Sequence, residues 1–207
     1  MPGPKYKAVL FDLYTALLNS WKLWNNVAGS EKTGLAWRQK YLELTYKAGK
    51  YLSYDSIIEK SAQQVGLSST HSDQLIDRWR YLEPWPETRT VLRSLSRKVP
   101  IAVVTNSSIE LAKIAIPCTG ISIQIVVTAE EAGYFKPNPK PYLLALERLG
   151  FPAAEVLFVA GSATDVAGAM GVGMPVYWHN RIGLSALNNT IKPLYVSTSL
   201  DRLLELA

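Results

Sequence analysis

The sequence predicts an α/β fold in which a doubly wound parallel sheet carries a helical segment inserted after its first strand. Apolar runs rich in β-branched residues, each bounded by turn or polar residues, indicate buried strands. They span Ala8–Phe11, Ile101–Thr105 and Val156–Ala160. Segments with helical apolar spacing separate these runs, as in parallel sheets. A longer stretch, from about Leu17 to Tyr81, has helical patterns but no strand pattern, which indicates the insertion.

The other core elements follow the same alternation along the chain. Weaker strand patterns occur at Ile123–Val127 and Val176–Trp178. The helical spacings lie at Thr88–Leu95, Ile109–Ile116, Tyr142–Leu149 and Asp165–Met170. We therefore expect a sheet of buried parallel strands with helices packed against it.

The inserted segment has apolar residues at helical spacing in three places. These are Trp37, Tyr41, Leu44 and Ala48, then Ile57, Ile58, Ala62 and Val65, then Leu75, Ile76 and Trp79. Asp55 is a candidate N-cap of the second helix. The prolines of Pro84-Trp85-Pro86 restrict the backbone and predict a hinge back to the core. We expect a core domain of residues 1–16 and 84–207 and a helical cap domain of residues 17–83.

Length and composition limit the functional classes. With 207 residues and 48% hydrophobic content, the chain can bury a sizeable core. Its net charge of +5 is spread without a basic run, so we expect a small anionic substrate and no nucleic acid. The apolar run Ala8–Phe11 is too short for a signal peptide or a membrane span, and the single Cys118 forms no internal disulfide. We expect a cytoplasmic protein without a membrane partner, and a homodimer is left open.

The two histidines do not support a metal site or a Ser-His-Asp triad. His71 lies in the polar stretch Ser68–Asp73, and His179 follows the strand pattern at Val176–Trp178. Neither has a partner at metal-ligand spacing, so we expect a turn residue and a packed or surface imidazole. The chemistry is therefore expected to rest on carboxylate, amine and guanidinium groups.

Polar residues directly after strands are candidates for a site, because ligands of open α/β sheets bind beyond the carboxyl ends of the strands. Asp12, Thr105-Asn106 and the loop Ala160–Asp165 occupy such positions. Taken singly, each has an ordinary role as a turn former or a helix cap. Lys136 in a proline-rich loop and Arg38 on an amphipathic helix are, taken singly, ordinary solvated side chains.

The order of these residues along the chain is more informative. The segments are Val9-Leu10-Phe11-Asp12-Leu13-Tyr14, Val103-Val104-Thr105-Asn106, Lys136-Pro137, and Val159–Asp165 followed by Val166-Ala167-Gly168-Ala169. Together they resemble the motifs of the haloacid dehalogenase superfamily over nearly the whole chain. The resemblance implies a Rossmann-like core with a helical cap inserted after the first motif, which agrees with the helical segment inferred from apolar spacing.

Within that superfamily the chain looks most like the 2-haloacid dehalogenases. The superfamily's phosphatases carry a second aspartate two residues after the nucleophile and a metal-binding aspartate at the start of motif IV. This chain has Tyr14 and Ala160 at those positions. Magnesium is held through carboxylates, and only Asp12 and Asp165 remain as obvious ligands. We expect no metal ligands and no cofactor, with magnesium required only if the chain is instead a phosphatase.

The resemblance also implies roles for side chains. Asp12 attacks the α-carbon of a 2-haloacid, and water hydrolyses the resulting ester. Trp37-Arg38-Gln39-Lys40 matches the segment whose arginine receives the halide, and Tyr142 stands six residues after Lys136 as in those enzymes. The expected catalytic residues are Asp12, Lys136, Asp165 and Arg38. The expected substrate-binding residues are Tyr14, Thr15, Thr105, Asn106, Tyr142, Ser162 and Gln39.

Two motifs depart from the dehalogenase pattern. Thr15-Ala16 follows Tyr14 where those enzymes usually have Gly-Thr, and motif IV has Ala160 and Ser162 where they have Ser and Asn. These changes leave another acid or ester substrate open. The motifs also leave open a magnesium-dependent phosphatase and a non-catalytic α/β binding protein. The retained pair of carboxylates with a lysine disfavours the binding protein.

Overall fold

The computed structural model describes residues 5–187 and 192–206, so residues 1–4, 188–191 and 207 of the expected core lie outside it. In this part of the chain, six parallel strands form one sheet in the order β3-β2-β1-β4-β5-β6. They are β1 (Ala8–Phe11), β2 (Ile101–Thr105), β3 (Ile125–Thr128), β4 (Val156–Ala160), β5 (Val176–His179) and β6 (Tyr195–Ser197). The predicted doubly wound α/β fold is confirmed.

The chain builds this sheet outward from β1 in both directions. Strands β2 and β3 lie on one side of β1, and β4, β5 and β6 lie on the other. Phe11, at the end of β1, is in register with Val103 of β2 and Val159 of β4. Ligands of open α/β sheets bind where the strand order reverses, beyond the carboxyl ends. Asp12, which directly follows β1, and the loop after β4 both lie at this crevice.

Alternate side chains of β1 are buried on opposite faces of the sheet, as the pleat of a strand requires. Val9 and Phe11 belong to a buried cluster that also contains residues of the inserted helices. Leu10 belongs to a second cluster that contains Tyr142 and Val166. Both faces are therefore covered, which explains why the strand is apolar throughout.

Every residue between β1 and β2 is described, and this segment contains the inserted helices. Further helices connect the remaining strands. The inserted helices are α1 (Ser20–Val27), α2 (Glu31–Ala48), α3 (Tyr54–Gln64) and α4 (Ser69–Asp77). The core helices are α5 (Thr88–Leu95), α6 (Ile109–Ala115), α7 (Ala129–Ala132), α8 (Pro139–Leu149), α9 (Ala163–Gly171) and α10 (Leu203–Leu206). Short 3-10 helices span Trp79–Tyr81, Ile116–Thr119 and Ala153–Glu155.

Most element boundaries agree with the sequence prediction. The strong strand patterns and α5 match their predicted residues. Strand β3 begins later than expected, because its pairing with β2 begins at Ile125. The prediction of Asp55 as an N-cap was wrong, because α3 begins at Tyr54 and its N-cap is Ser53. Asp55 therefore lies within the first turn of α3. Neither α1 nor the three-residue β6 was predicted.

The two ends of the inserted segment, where the chain leaves the core and returns to it, lie next to each other. Leu18 forms an antiparallel bridge with Pro84, and the N–H of Asn19 donates to the carbonyl of Glu83 over 2.7 Å. The predicted hinge at Pro84-Trp85-Pro86 therefore lies beside the start of the inserted segment. Across the described ranges, none of the helices is both long and apolar enough to cross a membrane.

The close packing of α9 against α8 leads to a stability prediction. An ideal Cβ on Gly168 would lie 2.6 Å from Tyr142 Oη and 2.9 Å from Pro137 Cβ. We expect Gly168→Ala to lower the free energy of unfolding by about 1–3 kcal/mol, because overpacking outweighs the gain in helix propensity. Urea unfolding measures this change.

Gly171→Ala is the matched control. A Cβ on Gly171, in the same helix, would meet nothing within 4 Å. We expect its stability to be unchanged or slightly raised, and equal losses for the two variants would contradict the packing described here.

Candidate active site

A cavity of about 40 Å³ lies between the carboxyl ends of β1 and β4 and the helix α2 of the inserted segment. Its wall combines charged groups of the core with aromatic groups of the inserted helices. The lining residues are Asp12, Tyr14, Thr15, Trp21, Arg38, Tyr41, Leu42, Tyr46, Tyr54, Asn106, Lys136, Ser162 and Asp165. Most of the residues predicted from the sequence are therefore brought together.

Asp12 follows β1 directly, and both of its carboxylate oxygens are held. Oδ2 accepts from the backbone N–H groups of Thr15 and Ala16 at 3.2 and 3.3 Å, and Oδ1 accepts from Lys136 Nζ at 2.9 Å. A Cβ on Gly161 would lie 2.7 Å from Asp12 Oδ2 and 2.5 Å from the Ala16 nitrogen. Glycine at this position lets the loop after β4 approach the carboxylate closely.

Lys136 lies between the two buried carboxylates of the site. Its Nζ donates to Asp12 Oδ1 and, over 2.8 Å, to Asp165 Oδ2. The side chain of Asn106 makes two hydrogen bonds to the backbone of Lys136. Asn106 Oδ1 accepts from the Lys136 N–H at 2.6 Å, and Asn106 Nδ2 donates to the Lys136 carbonyl at 3.0 Å. Lys136 is not the solvated lysine that is ordinary in a proline-rich loop, since only 2% of it is exposed.

Asp165 is oriented from two sides. Its other oxygen, Oδ1, accepts from Tyr142 Oη at 2.7 Å. Its backbone N–H donates to Ser162 Oγ at 3.2 Å, because Ser162 is the N-cap of α9. Both oxygens of Asp165 therefore have donors, and the helix start fixes the backbone from which the side chain projects.

Burial and charge act in opposite directions on these groups. Burial alone would raise the pKa of Asp12, but the Lys136 ammonium and the hydrogen bonds from Lys136, Thr15 and Ala16 hold it below its usual value. Burial and the neighbouring Asp12 charge raise the pKa of Asp165, against the opposing effect of Lys136. Burial would lower the pKa of Lys136, but the two carboxylates raise it. Asp12 is thus the carboxylate more readily kept ionised.

Arg38 faces this group from α2 and is buried, so the expectation of a helix-surface arginine was wrong. Its Nη2 donates to Thr15 Oγ1 over 3.2 Å, and its guanidinium carbon lies 4.6 and 5.5 Å from the ring centroids of Trp21 and Trp24. Its Nε has no hydrogen-bond partner among the described residues. Burial lowers the pKa of Arg38, which still leaves an arginine charged at neutral pH.

Tyr14 occupies the position where the superfamily's phosphatases have an aspartate. Its hydroxyl lies 2.7 Å from Ser107 Oγ and accepts from Trp79 Nε1 at 3.3 Å. Burial strongly raises the pKa of Tyr14. The phenol therefore stays protonated at neutral pH and is held in place by its neighbours.

Three of the predicted substrate-binding residues do not line the cavity, and one of them, Tyr142, is fully buried and donates to Asp165 instead. Thr105 is fully buried at the end of β2, and its hydroxyl has no partner among the described residues. Gln39 is exposed, because successive residues of an α-helix are rotated by about 100° about its axis. Gln39 therefore does not share the buried face on which Arg38 lies. Neither Thr105 nor Gln39 lines the cavity.

Several lining residues were missed by the sequence analysis. Tyr41, Leu42 and Tyr46 follow Arg38 at spacings of three, four and eight residues, which places them on one face of α2. Applying helical spacing outward from Arg38 would have identified them. Trp21 and Tyr54 come from α1 and α3, and their local sequence carries no signal that separates a cavity wall from a packed core.

The residues present do not fit a divalent-cation site of the kind that the superfamily's phosphatases use. The Lys136 ammonium lies within hydrogen-bond distance of both carboxylates, and the position of the third acidic ligand is the buried methyl of Ala160. Within the described ranges, no group of three or more His, Cys, Asp or Glu side chains is placed to hold a metal ion.

Solved structures with the same architecture include the L-2-haloacid dehalogenase from Xanthobacter autotrophicus. It superposes with a TM-score of 0.84 at 24% identity, covering 97% of this chain and 98% of that one. A dehalogenase with an intermediate complex superposes with a TM-score of 0.87 at 22% identity, covering 99% of this chain and 98% of that one. At these identities, the likeness shows a shared fold.

Sequence comparison shows the family. The (S)-2-haloacid dehalogenase 2 of Pseudomonas sp. (strain CBS-3) is 30% identical over 219 residues, covering 95% of this chain and 93% of the relative. The (S)-2-haloacid dehalogenase of Pseudomonas fluorescens is 28% identical, covering 94% of this chain and 93% of the relative. A family model for haloacid dehalogenase-like hydrolases matches residues 6–173. That match spans Asp12, Lys136 and Asp165, and the chain belongs to the haloacid dehalogenase-like hydrolases.

Proposed function

We propose that this chain hydrolyses a small 2-haloacid through an ester intermediate on Asp12, without a metal ion. The observation that carries the proposal is the position of Lys136 Nζ, 2.9 Å from Asp12 Oδ1 and 2.8 Å from Asp165 Oδ2, with the Arg38 guanidinium in the facing wall. The names of the relatives, (S)-2-haloacid dehalogenases, support the substrate class.

In the first step, a carboxylate oxygen of Asp12 bonds to the α-carbon while the carbon–halogen bond breaks and the halide leaves with its electron pair. An ionised nucleophile, an anionic substrate and a departing anion then lie close together. Fixed positive charge is needed to offset their repulsion. Lys136 stabilises the ionised Asp12, and Arg38 receives the halide.

Arg38 suits that role because its guanidinium is not committed to a carboxylate. Its neighbours are the Thr15 hydroxyl and the faces of Trp21 and Trp24, and its buried Nε lacks a partner among the described residues. A buried donor without an acceptor costs stability. A halide arriving beside it would supply the missing acceptor.

In the second step, water attacks the carbonyl carbon of the Asp12 ester. Backbone donors aimed at the carbonyl oxygen stabilise the negative charge that builds there, and the N–H groups of Thr15 and Ala16 at Oδ2 fit that task. Asp165 accepts a proton from the water and returns it to the departing hydroxy-acid oxygen. The bond between the Asp12 acyl carbon and that oxygen breaks, Asp12 keeps the oxygen of the water, and the second proton of the water is lost to solvent as the carboxylate reforms.

Two of the departures from the dehalogenase motifs, Ala16 and Ser162, are compatible with this mechanism. Ala16 has no hydroxyl, but its backbone N–H still reaches Asp12. Ser162 lines the cavity and caps α9, so it continues to orient Asp165. Asn106 holds the backbone of Lys136 and leaves its side chain at the cavity wall.

A magnesium-dependent phosphatase would need a different set of groups. Its general acid would stand at Tyr14, whose phenol has a pKa raised by burial and therefore holds its proton more tightly than a carboxylic acid does. Its metal would have to displace the Lys136 ammonium from between Asp12 and Asp165. Hydrolysis without a metal requires no change in the positions of the Lys136 ammonium and the two carboxylates.

The location of the cavity also supports a division of the chain into two domains. The core would comprise residues 1–16 and 84–207, and the cap residues 17–83, with the adjacent crossings at Leu18 and Pro84 as the hinge. Opening of that hinge would admit a small anionic substrate, and closure would exclude bulk water from the ester.

The reaction itself can be tested by halide release. We expect chloride to be released from 2-chloropropionate or chloroacetate at an unchanged rate in excess chelator, because Lys136 rather than a metal offsets the negative charge. Ion chromatography measures the product, with p-nitrophenyl phosphate and magnesium as the parallel assay. Magnesium-dependent phosphate release with no halide release would overturn the proposal.

Arg38→Met tests the halide acceptor. We expect halide release to fall about 100-fold or more, the scale for losing a charge-stabilising group, while the melting temperature is unchanged or raised, because a buried unpaired cation is costly to fold. Gln39→Ala, on the exposed face of the same helix, is the control and should keep the full rate. Parallel losses of rate and stability in Arg38→Met would assign Arg38 a structural role.

A further inference from the structure

Two buried aromatic side chains outside the cavity contact the backbone that holds Asp12. Trp85 comes from the hinge segment, and His179 is the last residue of β5. They are 7% and 0% exposed, and their rings meet edge to face with centroids 6.2 Å apart. Neither lines the cavity around the carboxylates. Their polar atoms nevertheless point to consecutive carbonyl groups of the loop after β1.

Trp85 binds the same peptide group that binds the nucleophile. Its Nε1 donates to the carbonyl of Thr15 over 2.9 Å. That carbonyl and the N–H of Ala16 belong to one peptide plane, and the N–H donates to Asp12 Oδ2. A donor on the carbonyl both fixes the plane and polarises the N–H on its other side, since linked hydrogen bonds strengthen one another.

His179 fixes the next peptide group. Its Nδ1 lies 2.8 Å from the carbonyl of Ala16. Because a carbonyl only accepts hydrogen bonds, Nδ1 carries the proton in this arrangement. Burial lowers the pKa of His179, against the opposing effects of the Ala16 contact and Glu87, and the neutral ring keeps this proton on Nδ1.

An ion pair of Glu87 and Arg181 lies beside the two rings. Glu87 Oε1 lies 3.8 Å from His179 Nε2, accepts from Arg181 Nη1 at 3.0 Å, and accepts from the N–H of Leu200 at 3.2 Å. The Arg181 guanidinium carbon lies 5.3 Å from the Trp85 ring centroid. Arg181 therefore packs against the indole that binds Thr15, whereas His179 Nε2 has no hydrogen-bond partner among the described residues.

We propose that Trp85 and His179 are positioning residues, which hold the carbonyl groups of Thr15 and Ala16 so that the backbone N–H of Ala16, between those two carbonyls, stays aimed at Asp12 Oδ2. This inference rests on the proposed role of Asp12 as nucleophile. The indole and the imidazole act through the backbone, and touch neither substrate nor Asp12. Their loss weakens the donors that stabilise both the ionised carboxylate and the negative charge formed during ester hydrolysis.

Trp85→Phe removes the indole N–H and keeps an aromatic ring. We expect kcat to fall about tenfold, less than the 10²–10³ loss that follows direct removal of an oxyanion donor, with KM within about twofold of its original value. A weaker Ala16 donor raises the pKa of Asp12, so the acidic limb of the kcat/KM profile should move to higher pH.

Trp178→Phe is the matched control. Trp178 precedes His179 in β5, it is 5% exposed, and its buried Nε1 has no hydrogen-bond partner among the described residues. The same change of side chain there removes no donor from the Asp12 loop. We expect its kcat and pH profile to stay at the original values. Equal effects of the two substitutions would overturn the proposal.

A second pair of variants tests His179. Asn at position 179 can place an amide donor near the position of Nδ1, whereas Leu of similar shape cannot. His179→Asn should therefore keep most of kcat, and His179→Leu should lose about as much as Trp85→Phe. Loss of kcat in both variants to the same degree, in step with melting temperature, would show a packing role only.

Amide hydrogen exchange separates this inference from the proposed reaction. In the absence of any substrate, Trp85→Phe should speed exchange at the Ala16 amide relative to the original protein and Trp178→Phe. Unchanged exchange would overturn the positioning role even if halide is released. Faster exchange in a protein that releases no halide would support the loop contacts and reject the dehalogenase assignment.

Discussion

The buried ion triad of Asp12, Lys136 and Asp165 is the interaction on which the rest of the site depends. Two carboxylates and one ammonium taken out of water are costly unless each is paired and hydrogen-bonded. Every oxygen of the two carboxylates has a donor: Lys136 reaches one on each side chain, the backbone N–H groups of the loop after β1 supply another, and Tyr142 supplies the last. The strand order explains how groups so distant in sequence meet, because β1 and β4 are neighbours.

With both carboxylates ionised, the triad carries one net negative charge. Arg38 brings a compensating positive charge from α2, but it pairs with a hydroxyl and indole faces rather than with a carboxylate. The guanidinium on α2 thereby balances the charge of the triad, while its Nε has no hydrogen-bond partner among the described residues. On the proposed function, an incoming anion would supply the missing acceptor.

The sequence predicted the core more completely than the cavity, for physical reasons. Buried parallel strands are apolar runs, so β1, β2 and β4 were bounded correctly. The motif positions identified the three residues of the triad, because Asp12 and Asp165 follow strands and Lys136 lies in a proline-rich loop. Trp21 and Tyr54 were missed because aromatic residues at helical spacing look alike in a core and in a cavity wall. Thr105 was misplaced because sequence order cannot show that a hydroxyl after a strand is fully buried.

Isotope transfer tests the central role of Asp12 most directly. With enzyme in excess over a 2-haloacid in heavy-oxygen water, a single turnover through an ester transfers a light oxygen from Asp12 to the product. We expect mass spectrometry to find the heavy oxygen on Asp12, within the segment Ala8–Leu18, with Asp165 unlabelled and the product light. Heavy oxygen in the product with Asp12 unlabelled would show that water attacks the substrate directly, and would reduce Asp12 to a general base.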